Sequence, residues 1–179
     1  MKHTFDEIKE DTILEVAKKM VMAARTAPKA RGVDNVHTLI LTGDDIKILS
    51  TQMMLISKRD SVDFFERDAK NLLVSSAVVL LGSPYKSLGL KNCQWCGFKT
   101  CVEKDKHPNN PCVYNVHDLG IAVGSAASIA ADNRIDNRVM FSVGKAALEL
   151  PLFSSNIKIA FGIPLTASGK NPFFDRKTI

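Results

Sequence analysis

Four cysteines within one short segment constrain this chain more than any other feature of its sequence. They are Cys93, Cys96, Cys101 and Cys112, in the pattern C-x2-C-x4-C-x10-C, and no other position among the 179 residues is a cysteine. Thiolates are soft ligands, and four of them favour an iron–sulfur cluster or a zinc ion. The segment is therefore predicted to bind a metal centre.

The uneven spacing of the cysteines favours a [4Fe–4S] cluster over zinc. Zinc sites usually contain two C-x2-C pairs, whereas Cys101 and Cys112 are separated by ten residues. A cubane cluster is larger than a single ion, so a wrapping loop can supply its ligands at irregular intervals. Zinc and four unligated thiols stay open as alternatives. Disulfides are disfavoured because the polar N-terminus, residues 1–7, lacks the apolar stretch of a secretory signal.

The composition argues against a membrane or a nucleic-acid function. Apolar residues make up 45% of the chain and charged residues 24%, which is ordinary for a folded protein. The net charge is +5, with lysines spread along the chain, whereas nucleic-acid binding needs a concentrated basic stripe. The longest apolar run, residues 119–131, is too short to span a bilayer. We expect a cytoplasmic protein, in which thiols stay reduced.

The hydrophobic pattern predicts an α+β domain. The predicted helices are Phe5–Ala24 with a capping box at Thr4 and Glu7, one capped by Asp44 or Asp45 that extends to about Ser57, one from Ser61 or Asp63 to about Leu73, one capped by Asp118, and one near Val143–Leu150. The predicted strands are Val36–Leu41, Ala77–Gly82 and Ile157–Ile163. Together they predict one domain over residues 1–179, with a small mixed or antiparallel sheet flanked by helices. The cysteine loop is inserted at about residues 83–116.

The helix capped by Asp118 has an unusual number of small residues. Gly120 and Gly124 lie among several alanines and serines. Small side chains allow close approach between backbones. This helix is therefore predicted to press against another helix, a partner subunit or a cofactor.

Six segments together resemble the ferredoxin-domain-containing proteins of bacteria and archaea. They are residues 24–34, 65–69, the cysteine loop, 118–122, 136–140 and 162–176. That family is in turn similar to the nitroreductase-like flavoproteins, with a cluster-binding loop inserted. The resemblance implies a nitroreductase-like fold, an intertwined homodimer, FMN at the subunit interface and a four-cysteine [4Fe–4S] site.

The predicted flavin site follows partly from this resemblance and partly from the need for a cation beside the FMN phosphate. Its residues are Arg25, Thr26, Lys29, Asn71, Lys170 and Arg176. Arg25 and Lys170 match positions of the family, and Asn71 lies where related flavoproteins place an amide against the ring. The alternatives are that Lys29 and Arg31 are exposed turn residues and that Asn71 faces solvent.

The sequence thus predicts a small redox protein, an FMN-dependent oxidoreductase that receives electrons through a [4Fe–4S] cluster. Its expected partners are a second copy of the chain, a redox protein such as ferredoxin and an unidentified small-molecule acceptor. No catalytic residue is predicted. Two alternatives stay open, a cluster-only electron carrier or redox sensor, and a non-enzymatic module in which zinc staples the loop.

Overall fold

The computed structural model describes residues 1–174, which are organised around a four-stranded sheet. The strands are β1 (His37–Leu41), β2 (Ala77–Pro84), β3 (Asp136–Asn137) and β4 (Ile157–Thr166), in the order β1-β2-β4-β3. Every neighbouring pair is antiparallel. The three strands predicted from apolar runs all form. The short β3 is not among the predicted strands.

Six helices surround the sheet in the described part of the chain. They are α1 (Phe5–Thr26), α2 (Asp44–Asp60), α3 (Asp63–Leu73), α4 (Cys101–Asp105), α5 (Val113–Asp132) and α6 (Phe141–Ala147). No helix within residues 1–174 has both the length and the hydropathy that a bilayer span requires. The elements together confirm the predicted combination of helices and a small antiparallel sheet.

Helix α1 begins with the predicted capping box. The Thr4 N–H donates to Glu7 Oε2 at 2.7 Å, and the Glu7 N–H donates to Thr4 Oγ1 at 3.4 Å. These two bonds satisfy amide groups that have no partner inside the helix. The apolar stripe of the helix is buried at Ile13, Val16, Ala17, Met20 and Ala24.

The central strand β2 is buried along its whole length because helices cover both faces of the sheet. Ala77, Val79 and Leu81 belong to the hydrophobic cluster that includes α1 and α5. Val78 and Leu80 belong to the cluster that includes α2, α3 and α6. This alternation follows from the two-residue period of a strand. A continuous apolar run was therefore a correct signal for a strand covered on both sides.

Helix α6 approaches β4 so closely that only glycine fits at one position. A Cβ added to Gly144 would collide with the backbone of Ala160. On the same side of the sheet, Arg67 and Asp68 form an ion pair with an N–O distance of 2.8 Å. Asp68 is buried and also accepts a hydrogen bond from Ser142 Oγ at 2.5 Å. These contacts fix α3 and α6 against each other.

Two predicted helix caps are wrong. Asp44 and Asp45 do not cap α2, because the N-cap is Gly43, in a positive-φ conformation that glycine tolerates. Asp118 does not cap α5, because that helix already begins at Val113. Asp118 lies buried inside the helix and uses its carboxylate in a tertiary contact.

Candidate metal and flavin site

All four cysteines line one cavity of about 450 Å³. None forms a disulfide, and Cys112 is buried while the other three are partly exposed. The remaining walls come from the segments 87–92, 98–102 and 113–114. The structure therefore brings together the side chains that sequence analysis grouped by spacing alone.

The first two cysteines lie on a backbone that reverses direction repeatedly. Asn92, Gln94 and Gly97 all have positive φ angles, of 57°, 54° and 87°. The Gly97 N–H donates to the carbonyl oxygen of Gln94 at 3.0 Å, which closes the turn around Cys96. A non-glycine residue at positive φ costs free energy and occurs mainly at constrained sites. The turn keeps Cys93 and Cys96 on the wall of the same cavity.

The other two cysteines lie at the starts of helices. Cys101 is the first residue of α4, which Thr100 caps by accepting a hydrogen bond from the Glu103 N–H at 3.1 Å. Cys112 is the N-cap of α5, although its side chain makes no capping hydrogen bond. Both cysteines thus line the cavity from the N-terminal end of a helix.

A buried lysine holds α4 against the end of β2. Lys104 is 2% exposed, and its ammonium group donates to the carbonyl oxygen of Tyr85. The same group lies 3.5 Å from Asp105 Oδ1. A buried ammonium group requires such partners, because desolvating an unpaired charge is costly. The burial of Lys104 has no signal in the sequence, because its neighbours Glu103 and Asp105 are typical of a solvated, charged surface.

The cysteine loop is also bound to the turn that follows α1. Arg31 Nη1 donates to the carbonyl oxygen of Leu88 at 2.6 Å, and the Ala30 N–H donates to Asp118 Oδ2 at 3.0 Å. Asn115 is buried, accepts from Asn35 Nδ2 at 3.0 Å and donates to the carbonyl oxygen of Lys86. No sequence signal indicated these contacts, because they join residues far apart in the chain.

The chemistry of the cavity fits a centre that is held by thiolates. Four cysteines without disulfides are the ligand set of iron–sulfur clusters and of some zinc sites. Within residues 1–174, no three His, Cys, Asp or Glu side chains are arranged as ligands of a single metal ion. The cysteines share a cavity wall and do not converge on one point. His107, another potential metal ligand inside the loop, stacks on Phe98 with ring centroids 5.0 Å apart.

The predicted flavin residues at the end of α1 have partners within the chain. Arg25 is exposed, and its Nε lies 2.9 Å from Asp34 Oδ2. Thr26 Oγ1 donates to the carbonyl oxygen of Met22 at 3.1 Å. Both side chains lie at the surface, where a phosphate has access to them. Their role in binding FMN stays a prediction.

Lys29 has a clear structural task. Its ammonium group is buried and donates to the carbonyl oxygens of Ala24, Arg25 and Ala27 at 2.8 to 2.9 Å. These carbonyl groups lie at the C-terminal end of α1, where a cation is favourable. A contact between Lys29 and a phosphate stays a prediction, and it would compete with three hydrogen bonds.

The remaining predicted flavin residues lie on other elements. Asn71 is half-buried in α3 and Lys170 is exposed after β4. The Lys170 carbonyl oxygen accepts a hydrogen bond from Ser168 Oγ at 2.7 Å, which shapes this segment. Arg176 lies outside the described residues. Nothing in these positions tests the predicted contacts with a flavin ring or phosphate.

The end of β4 lies beside a different part of α1 from the one that holds Arg25. Ser76 Oγ donates to Glu10 Oε1 at 2.8 Å, and the Ser76 N–H donates to the carbonyl oxygen of Leu165 at 2.9 Å. The end of β4 therefore lies beside the N-terminal half of α1, whereas Arg25 lies in the last turn of that helix. Glu10 and Arg25 are separated by about 22 Å along the helix, at 1.5 Å per residue.

Comparison with other proteins extends the similarity over nearly the whole chain. Residues 108–176 match the family described as "Uncharacterized protein containing a ferredoxin domain (DUF2148)". An uncharacterized protein of Archaeoglobus fulgidus is 34% identical over 179 residues, which covers 95% of either chain.

Solved structures of flavin-containing and nitroreductase proteins share the fold. A nitroreductase of Lactococcus lactis in complex with nicotinic acid superposes with a TM-score of 0.62 at 17% identity, covering 95% of this chain and 83% of its own. The FMN-dependent nitroreductase of Mycobacterium smegmatis in complex with NADPH gives 0.62 at 12% identity, covering 89% and 81%. An oxidoreductase containing FMN gives 0.61 at 14%, covering 87% and 67%. The fold is nitroreductase-like, as predicted.

Proposed function

The chain belongs to the family of uncharacterized proteins that contain a ferredoxin domain, and from this premise we propose that it is a redox protein that binds a [4Fe–4S] cluster and FMN. When bound, a cluster exchanges single electrons and FMN exchanges one or two, so that together they support oxidoreductase chemistry. The observation that carries the proposal is the cavity lined by all four cysteines in a chain with a nitroreductase-like fold.

In this proposal Cys93, Cys96, Cys101 and Cys112 hold the cluster. The turn with three positive φ angles positions the first two, and the starts of α4 and α5 position the others. Lys104, three residues after Cys101, holds α4 in place through the carbonyl oxygen of Tyr85.

The proposed FMN site requires two copies of the chain. Arg25 lies in the last turn of α1 and Lys170 follows β4, and a partner subunit can place its own Lys170 beside Arg25. Arg25 and Thr26 are accessible to a phosphate, while Lys29 stabilises the helix end on which they lie. A homodimer would thus complete a site that each chain holds only in part.

Helix α5 offers a surface on which such a dimer would form. Its buried face packs against α1, with Ser125 Oγ donating to the Ala23 carbonyl oxygen at 3.0 Å. Gly120, Gly124 and Ser128 form an exposed stripe on another face. A Cβ at either glycine would meet no atom within 4 Å, so the stripe is open to a second helix. Small residues allow that close approach.

The proposal places the protein in the cytoplasm, where thiols stay reduced. It includes a protein electron donor and a small-molecule acceptor, and none of the predicted site residues acts as an acid or base. The chain's own residues bind and orient the cofactors and set the charge around them.

The test is the visible spectrum of anaerobically purified protein before and after dithionite reduction, together with quantified FMN. We expect a broad iron–sulfur absorbance and flavin bands that both bleach. A protein that contains iron but binds no flavin, even after FMN is added, would be an electron carrier with a cluster only. A protein that contains no iron and no flavin would contradict the proposal. Stoichiometric zinc would indicate that the metal only stabilises the loop.

A further inference from the structure

The mouth of the cysteine cavity exposes apolar side chains that a soluble surface rarely shows. Trp95 is 69% exposed and Val102 is 73% exposed. The Trp95 ring stacks on Tyr114, with centroids 5.3 Å apart and planes 13° from parallel. Tyr114 and Val102 both line the cavity with the cysteines. A large aromatic ring, held rigid by stacking and open to solvent, is the usual centre of a protein interface.

The same loop holds most of the net positive charge of the chain. Residues 83–116 contain five lysines and two acidic residues, a net +3 of the +5 for all 179 residues. Lys91 and Lys99 are exposed and line the cavity. Five of the 17 lysines of the chain thus lie within this segment of 34 residues.

The acidic residues of the loop are engaged locally, whereas these lysines are not. Glu103 Oε2 accepts a hydrogen bond from the Lys99 N–H at 2.9 Å, and Asp105 lies 3.5 Å from the buried Lys104 ammonium. Within the described part of the chain, neither Lys91 nor Lys99 forms an ion pair. Their ammonium groups are available to an outside anion.

We propose that this surface, the mouth patch of Trp95, Val102, Tyr114, Lys91 and Lys99, docks an acidic one-electron carrier protein. The lysine rim complements a negatively charged partner and steers its approach. The aromatic and aliphatic centre supplies the desolvated contact. Because the patch lies at the mouth of the cysteine cavity, it suits a partner protein that transfers electrons. The inference rests on the proposed function, because docking there is useful only if the cavity holds a redox centre.

Nucleic acid is the other polyanion that a basic surface attracts, and the patch fits it less well. The loop contains no arginine and presents one highly exposed aromatic ring. Proteins that bind single strands combine a basic groove with several stacking platforms. A small acidic protein needs only one compact patch, since electron-transfer complexes bury little surface.

The experiment measures binding of a purified acidic [2Fe–2S] ferredoxin to the full-length protein, isolated without oxygen, by surface plasmon resonance at 20 and 200 mM NaCl. We expect binding at low salt that weakens at least tenfold at high salt. The K91E/K99E variant should weaken it at least tenfold at low salt, and W95A should weaken it without changing the salt dependence. The control K2E/K19E makes the same charge change at exposed lysines of the N-terminal region and should have little effect.

Iron and sulfide measured on the same samples separate this inference from the proposed function. A protein that lacks iron but binds ferredoxin through Lys91 and Lys99 would support the docking surface and contradict the cluster. The docking surface would be overturned if the cluster-containing protein showed no salt-dependent binding to ferredoxin. It would also be overturned if K2E/K19E weakened this binding as much as K91E/K99E. Binding of a fluorescein-labelled single-stranded oligonucleotide in place of ferredoxin would overturn it too.

Discussion

Arg31 Nη1 donates a hydrogen bond of 2.6 Å to the carbonyl oxygen of Leu88, which joins the turn after α1 to the wall of the cysteine cavity. Arg31 has a φ angle of 58°, in the left-handed region. Two predicted binding regions, the cation-rich turn and the cysteine loop, are therefore neighbours. The backbone of the turn is held in a conformation that arginine does not favour.

This relationship predicts that Arg31→Gly and Arg31→Ala differ in stability. Both remove the hydrogen bond to Leu88, but only alanine keeps a side chain in the left-handed conformation, at a cost of about 1 kcal/mol. In urea unfolding of the metal-free protein we expect the alanine variant to be less stable than the glycine variant by that amount. Equal stabilities would show that the backbone of the turn is relaxed.

Lys104 is predicted to stabilise the loop even without metal. Lys104→Met removes the charge and leaves the carbonyl oxygen of Tyr85 without this donor, which costs about 1–3 kcal/mol. The matched control is Lys106→Met, at an exposed position two residues further on, which should change stability by less than about 0.5 kcal/mol. Urea unfolding of the metal-free variants measures both. A loss of the same size in the two variants would assign Lys104 no special role.

Cys112 allows metal binding to be separated from folding. Serine is a strong N-cap residue and alanine a weak one, with a difference of about 1 kcal/mol. Cys112→Ser should therefore yield a metal-free protein more stable than Cys112→Ala by about that amount, while both variants lose the iron of the wild-type protein. Iron analysis and urea unfolding measure the two effects. Full iron content in either variant would remove Cys112 from the ligand set.

The two-chain flavin site predicts complementation between defective subunits. Arg25→Glu and Lys170→Glu should each abolish FMN binding, measured by the quenching of flavin fluorescence. If Arg25 of one chain and Lys170 of the other form the site, each mixed dimer has one intact site, and mixing the variants restores about a quarter of all sites. If the site lay within one chain, mixing the two variants would restore no FMN binding. This outcome would contradict a site shared between two chains.

The parts of this structure that local patterns determine were predictable from the sequence. The capping box at Thr4 and Glu7 and the apolar run of β2 each depend on neighbouring residues, and both are confirmed. The grouping of the cysteines followed from spacing and from the softness of thiolates. The structure places all four cysteines on the wall of one cavity, and their binding of a metal centre stays a prediction.

The contacts that bind distant segments were not predictable. Asp118 looked like a helix cap, but its carboxylate accepts from the Ala30 N–H, 88 residues away in sequence. Lys104 looked solvated, but the Tyr85 carbonyl oxygen lies within its reach only after β2 and α4 are packed together. No local pattern carries this information, because each partner is set by the tertiary fold.

The iron, sulfide and zinc content of the anaerobically purified wild-type protein tests directly whether the four cysteines hold a cluster. We expect about four irons and four sulfides per chain, the composition of a [4Fe–4S] cluster, with little zinc. One zinc per chain without iron or sulfide would contradict this assignment and would give the cysteine loop a structural zinc site.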